Sequence, residues 1–373
     1  MKKAGIYVHI PFCKSKCVYC DFLSYEGKND KIEEYITQLK NEITHVSQEK
    51  LKDYEIDTIY FGGGTPSYID EVYILGILEK IYEELNVKEN AEITIEVNPG
   101  TVNLEKLQNY FNAGFNRISI GLQSTNNNLL KTIGRIHTYE EFEETYKSAR
   151  QAGFRNINVD LMIGLPNEKT QDVEKDLNNI IEKGPEHISV YSLILEEGTR
   201  LEKMVNAKEV KLPNEKQERK MYWFVKDKLE EAGYNHYEIS NFAKQGYNSK
   251  HNLNCWNQKE YIGFGVAAHS YFNSKRYSNV DSLEEYLKSD QKIVHEVQNK
   301  EIQMKEFMLL GLRKIDGIRI SEFKEKFVVN PIYEYREILN KLVNQDLIEV
   351  DIDSIYLSKK GIDLANVVWE EFV

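Results

Sequence analysis

Between Gly5 and Leu195 the sequence repeats one pattern six times: a short run rich in Ile and Val, then a longer stretch with helical periodicity. The runs are Gly5–Ile10, Ile56–Phe61, Ala91–Val97, Asn116–Gln123, Asn156–Ile163 and His187–Leu195. Six units in ~190 residues is roughly 32 residues each, the length of a βαβ repeat. In the first helical stretch Ile32, Tyr35, Ile36, Leu39, Ile43 and Val46 share one face. Such a chain is confined to an α/β fold with a parallel sheet and right-handed crossovers. Eight units would close a TIM barrel; six predict a partial, TIM-like (β/α)6 barrel with one open side.

A sheet covered by helices on both faces should be apolar throughout, but these runs alternate. Ile93, Ile95 and Val97 oppose Glu92, Thr94, Glu96 and Asn98; Ile118, Ile120 and Leu122 oppose Arg117, Ser119, Gly121 and Gln123; Ile157, Val159, Leu161 and Ile163 oppose Asn156, Asn158, Asp160 and Met162. The helices must cover the apolar face, so the polar face is expected to line a wet or ligand-filled lumen.

The stretch Cys13-Lys14-Ser15-Lys16-Cys17-Val18-Tyr19-Cys20 puts three of the four cysteines on one loop, spaced C-x3-C-x2-C. Three thiolates hold three corners of an iron–sulfur cubane that otherwise takes four cysteines. The fourth iron keeps an open position, as binding and cleaving S-adenosylmethionine (SAM) requires. A structural zinc site wants a fourth Cys or His at fixed spacing, and the remaining cysteine, Cys255, lies far downstream. Pure electron transfer prefers a closed shell of four cysteines. The chain runs from Met1-Lys2-Lys3-Ala4 into a strand with no room for a secretory leader, so disulfides are not expected and a reducing cytoplasm is.

With Tyr7-Val8-His9-Ile10-Pro11-Phe12 before it, this motif resembles the radical SAM superfamily. Within it, the chain resembles the branch holding oxygen-independent coproporphyrinogen III oxidase (HemN) and the heme chaperone HemW, with matches from Tyr7 to Tyr271. The resemblance implies a [4Fe–4S] cluster on Cys13, Cys17 and Cys20 with SAM beside it. It assigns Gly62-Gly63-Gly64-Thr65-Pro66 to SAM; alone, that run reads as a tight turn or as bare backbone offering amides to a ligand. Glu96, Gln123, Arg135 and Asp160 are expected at the same rim. Glu96 and Asp160 suit ribose hydroxyls and an ammonium, and Arg135 suits a carboxylate. Tyr7 and Tyr19 match family positions that pack against SAM. Two SAM molecules are compatible with these residues.

His251-Asn252-Leu253-Asn254-Cys255-Trp256 resembles the H-N-x-x-Y-W signature of heme chaperones, with Cys255 where tyrosine is usual. Histidine and cysteine thiolate both ligate heme iron, so His251 is expected on the iron, with Cys255 and Trp256 at the heme. The bland alternative is a packed histidine and indole and a small buried thiol. His269, in Gly263-Phe264-Gly265-Val266-Ala267-Ala268-His269-Ser270, is a lesser candidate, and His9 reads as structural.

After Leu195 the repeat stops. A helix is expected near Asn214–Ala232, then an irregular aromatic segment from Tyr234 to Tyr277. From about Glu301 come helices over Ile302–Leu312, Ser321–Phe327 and Ile332–Leu342, then a hairpin of Leu347–Val350 with Ile355–Leu357, a pattern resembling a winged helix. The expected division is a barrel over 1–200, a linking heme-signature segment over 201–295, and a winged-helix-like α+β domain over 296–373. That last stretch carries 11 Lys/Arg against 14 Asp/Glu between residues 300 and 373, and the whole chain carries −12. Neither suits nucleic acid, so a packing or lid domain is expected. No apolar run reaches the ~20 residues of a membrane span.

Two functions fit the resemblance. One is a chaperone that binds heme (or porphyrin) and delivers it to an unidentified acceptor protein while keeping the cluster and SAM. The other is a radical oxidase decarboxylating the propionates of coproporphyrinogen III, its electron donor unknown. Three features favour the chaperone. The oxidase pattern has a further cysteine after the triad, where this chain reads Cys20-Asp21-Phe22. The oxidase carries a longer segment before its cluster, and here 12 residues precede Cys13. The segment His251–Trp256 resembles the chaperone signature. No residue is assigned a catalytic role.

Overall fold

The structure is a computed structural model and describes residues 1–289 and 291–373. All six expected strands form: β1 (Lys2–Ile10), β2 (Tyr54–Gly63), β3 (Asn86–Val97), β4 (Arg117–Gln123), β5 (Ile157–Ile163) and β6 (His187–Ser192). They pair in chain order and in parallel. Helices α1 (Ile32–Lys50), α2 (Glu71–Glu84), α3 (Leu104–Ala113), α4 (Tyr139–Ala152) and α5 (Thr170–Lys183) cross between them. On α1 five of the six predicted stripe residues, Tyr35, Ile36, Leu39, Ile43 and Val46, are buried, while Ile32 at its start is half-buried; each buried side chain contributes about 2 kcal/mol. Helix α4 starts at a Thr138/Glu141 capping box and stops at left-handed Gly153.

The alternation resolves as expected. Ile118, Ile120 and Leu122 enter the apolar core, while Ser119, Gly121 and Gln123 border a cavity. Tyr60 of β2, Glu96 of β3, Asp160 of β5 and Tyr191 of β6 border that same space, so the sheet curls until its polar face encloses it.

The segment expected to be irregular instead extends both sides of the sheet. Strands β7 (Asn235–Glu238) and β8 (Asn241–Ala243) continue past β6, antiparallel. On the other side β9 (Tyr261–Phe264) pairs in parallel with β1, followed by antiparallel β10 (His269–Phe272), β11 (Lys275–Asn279) and β12 (Lys292–Val297). The result is one 12-stranded sheet with β12 and β7 at its edges. These strands are too short for period-two alternation to register in sequence. A buried charge ties them to α1. Glu42, 1% exposed, accepts from the Gly265 amide, Asn279 and the Tyr286 hydroxyl, and pairs with Lys292.

Helix α6 (Glu215–Glu231) packs beside α5, and α7 (Lys250–Trp256) follows β8. The last stretch has its own core, including Met308, Phe323, Leu342 and Ile355. Its order is α8 (Lys300–Gly311), β13 (Ile318–Arg319), α9 (Ile320–Phe327), α10 (Arg336–Asn344), β14 (Ile348–Val350) and β15 (Ser354–Leu357), with a short turn of helix at Pro331–Glu334. This is the winged-helix-like pattern; sequence did not announce the two-residue β13, which pairs with β15, nor the short helices Lys359–Asp363 and Ala365–Glu370 that close the chain. Among the described residues no helix is long and apolar enough to cross a membrane.

Candidate functional site

The cysteine loop is anchored from several directions. Phe12–Cys13 pairs with Tyr25–Glu26. The Val18 amide donates to Ile133 O at 3.1 Å, and Val18 O accepts from the Leu201 amide at 2.8 Å. The glycine run presses against the loop from β2. A Cβ on Gly63 (φ +114) would stand 2.4 Å from the His9 ring, and one on Gly64 would stand 3.0 Å from Cys13 Sγ. The Gly64 and Thr65 amides donate to Ile10 O and Phe12 O, both at 2.9 Å. Two amides expected to face a ligand are therefore held by the loop's own backbone, and close approach is what demands glycine here.

All three thiols of the triad border one cavity of about 480 Å³. Yet among the described residues no three His, Cys, Asp or Glu side chains are close enough to hold one metal ion. Three thiols bordering one cavity are what three irons of a cubane would need as protein ligands. Burial raises the Cys13 thiol and pushes Cys20 up to about 11, so loading a cluster must release protons. Arg135 stands beside them: its Nη1 is 3.7 Å from Cys17 Sγ, and its Nη2 donates to Asn98 Oδ1 at 2.8 Å and to Gly121 O. Its Nε is buried without a partner among the described residues.

Tyr19, Gly63, Gly64, Thr65, Glu96, Gln123, Arg135 and Asp160 border the same cavity. Tyr7, Gly62 and Pro66 lie behind its wall. The Tyr7 hydroxyl meets His9 Nδ1 at 3.0 Å and its ring packs on Tyr60; Gly62 lies under Glu96; Pro66 opens a short 3-10 turn. Asp160 accepts from Ser119 Oγ at 2.9 Å and Asn158 Nδ2 at 2.8 Å, and Glu96 accepts from the Tyr60 hydroxyl at 2.8 Å. Burial, then the charge of Asp160, push the Glu96 carboxyl up to about 7; burial also raises Asp160. Two carboxyls disfavoured as anions on one cavity wall favour a cationic ligand, whose charge would lower both. Gln123 ends β4 in a left-handed conformation, φ 74, uncommon for a residue with a side chain. Sequence reasoning missed Tyr60 and Tyr191; Tyr60 alternates with Thr58 and Gly62 and could have been placed in the lumen.

The His251 segment lies on the N-terminal side of the lumen and does not border this cavity. Glu92 accepts from the Lys250 and His251 amides at 3.1 and 3.0 Å, holding the start of α7. His251 is 7% exposed; its ring shares a hydrogen bond between Nδ1 and Thr58 Oγ1 at 3.0 Å and stacks on Tyr60 at 5.2 Å. Burial, aided by the Arg117 charge, pulls its pKa down to about 4. Burial pushes the Cys255 thiol up to about 11, leaving it protonated at neutral pH. Trp256 stacks under the Arg313 guanidinium at 4.4 Å, whose other side meets Trp369 at 4.7 Å. The residues expected around SAM are thus largely brought together, while those expected around heme are packed into the barrel floor.

Residues 7–180 match the Radical SAM superfamily, and residues 298–364 match the HemN C-terminal domain. Among solved structures, coproporphyrinogen III oxidase (HemN) from Escherichia coli superposes with a TM-score of 0.86 at 22% identity, covering 100% of this chain and 90% of that one; at that identity the likeness shows the fold alone. The chain is 38% identical over its whole length to the heme chaperone HemW of Lactococcus lactis subsp. lactis (strain IL1403), covering 98% of that protein. It is 36% identical, again over its whole length, to the heme chaperone HemW of Bacillus subtilis (strain 168), covering 99% of it. With likeness of that extent joined to a three-thiol loop at the mouth of a partial barrel, the chain belongs to the HemW family of the radical SAM superfamily.

Proposed function

We propose that this protein is a heme chaperone: it binds heme beside a SAM-liganded [4Fe–4S] cluster and passes the heme to an acceptor protein. The observation that carries the reading is the end-to-end likeness to proteins named heme chaperone HemW, at 38% and 36% identity. The absence of a cysteine in Cys20-Asp21-Phe22 supports it against the oxidase. A reducing cytoplasm, where free thiols persist, suits such a protein.

The superfamily implies the cluster and SAM. When bound, the reduced cluster supplies an electron to SAM. Cys13, Cys17 and Cys20 would hold three irons and leave one open. Glu96 and Asp160 would take the ammonium and ribose hydroxyls, and the unpartnered Nε of Arg135 is a donor suited to the ligand carboxylate. Tyr60 fixes Glu96, and Ser119 and Asn158 fix Asp160, so neither carboxyl needs to reorient.

The test uses anaerobically reconstituted protein given SAM, a reductant and either heme or coproporphyrinogen III. Stable heme uptake without turnover is the expected result. Catalytic formation of protoporphyrinogen would overturn the chaperone reading in favour of the oxidase.

A further inference from the structure

A guanidinium keeps its proton in any protein environment, so burying one carries a full charge away from water and calls for an anion close by. Among the described residues Arg117, 2% exposed, is the one buried Lys or Arg. The buried carboxylates all have hydrogen-bond partners: Glu42 in the network that ties α1 to the sheet, Glu92 at the start of α7, Glu168 at the Leu165 amide, Asp176 at Thr125 and Glu238 at Asn241. Arg117 differs. Its Nε is buried without a partner, and no carboxylate among the described residues pairs with its guanidinium. The inward face of β4 shows what that charge stands near. Arg117 lies two residues before Ser119, about 7 Å lower along the strand, opposite the buried Thr94 of β3. Ser119 is opposite Glu96, and its hydroxyl donates to Asp160 at 2.9 Å. Arg117 is therefore one layer below the two carboxyls of the cavity wall, behind that wall rather than on it.

We propose that Arg117 is a positioning residue of the SAM site: from behind the cavity wall, its charge holds Glu96 and Asp160 as the anions that receive the ligand's ammonium and ribose hydroxyls. The inference rests on the SAM reading of that cavity and supplies the counter-charge its two carboxyls otherwise lack. Each accepts only from neutral groups, Glu96 from the Tyr60 hydroxyl and Asp160 from Ser119 and Asn158. Neither is in an ion pair among the described residues. A charge acts across a buried, low-dielectric space over distances at which water and salt would screen it. Burial pushes Glu96 up to about 7 and raises Asp160, and the Arg117 charge opposes both. The other titratable groups facing them do not compete. Burial keeps the hydroxyls of Tyr7, Tyr60, Tyr191 and Tyr237 protonated. Burial and the Arg117 charge keep His187 and His251 neutral. Glu92 is engaged by the Lys250 and His251 amides, and Arg135, at the rim, by Asn98 and Gly121.

SAM is titrated calorimetrically between pH 6 and pH 8 into anaerobically reconstituted wild-type protein, Arg117→Met, Arg117→Gln and Arg117→Lys. Far-UV circular dichroism checks folding, and iron and sulfide analysis checks the cluster. Removing the charge should move the acid limb of the binding profile up by about 0.5 pH, so that affinity at pH 6.5 falls about threefold and largely recovers by pH 8. Arg117→Lys should restore the wild-type limb, and in a Glu96→Gln background the loss of Arg117 should move the limb less. A folded neutral variant with the wild-type profile would overturn the proposal. So would one weakened equally at every pH, which is what lost packing alone would do. If neither neutral variant folds, Arg117→Lys carries the test: an unmoved limb upholds the proposal, and a limb displaced by about 0.5 pH despite the retained charge overturns it. Failure of the wild-type protein to bind SAM at any pH would overturn the SAM reading and this inference with it.

Discussion

At the C-terminal end of the lumen, Glu96, Gln123 and Asp160 face a cavity of about 480 Å³ with three thiols standing around it. At the N-terminal end, Glu92, Thr58 and His251 close on one another with none more than a tenth exposed. Both ends are built from polar residues on the inward face of the same strands. The upper groups leave capacity for a guest; the lower ones satisfy each other and hold α7. A polar lumen is therefore two things at once, a binding wall and an internal scaffold. Tyr60 joins them, stacking on His251 while its hydroxyl fixes Glu96.

Four changes would break or sharpen that contrast. The largest effect belongs to the thiols. Cys13→Ala should reduce reconstituted iron from about four per chain to near none, since a cubane needs its protein ligands, whereas Cys255→Ala should leave the iron count unchanged; iron and sulfide analysis reads both. Next comes the scaffold. Glu92→Ala leaves two amides at the start of α7 without their charged acceptor and should cost about 3 kcal/mol in urea unfolding, with Glu92→Gln costing less. An equal cost for both would mean that the carboxylate is not what holds α7.

The third concerns Glu96. With its carboxyl pushed up to about 7, it is protonated below that pH and loses its attraction for an ammonium. SAM binding should weaken about tenfold per unit as pH falls below 7, and Glu96→Gln should bind more weakly and flatten the profile. For folding the sign is opposite: a carboxyl raised above its unfolded value stabilises the fold at low pH, and that contribution is lost as pH rises towards 7. Calorimetric titration at pH 6, 7 and 8 separates the two. The smallest effect is at Arg313. Arg313→Ala removes the cation between Trp256 and Trp369 and should cost about 1 kcal/mol, read as a lower unfolding midpoint with the cluster still loadable.

Much of the binding wall could be read in the sequence. The alternation Glu92, Thr94, Glu96, Asn98 placed the carboxylate in the lumen, and C-x3-C-x2-C placed the thiols. The scaffold could not be read, because its partners are far apart in the chain. Glu92 and the His251 amide are 159 residues apart, and no local pattern records that pairing. The same holds for Glu42, a charge inside the apolar stripe of α1 whose partners come from the turn after β9, from β11 and from β12. The glycine run was legible as a need for bare backbone, but not as packing against the cysteine loop. Strands β7 to β12 escaped because three to six residues of mixed polarity carry no period.

The measurement closest to the centre of this account is the electron paramagnetic resonance spectrum of the anaerobically reconstituted, dithionite-reduced protein, recorded before and after SAM. A reduced four-iron cluster with one vacant vertex in reach of the cavity should change its g-values when SAM arrives, and Asp160→Ala should weaken that change. A four-iron signal indifferent to saturating SAM would contradict it, for the vertex would then be closed by the protein itself.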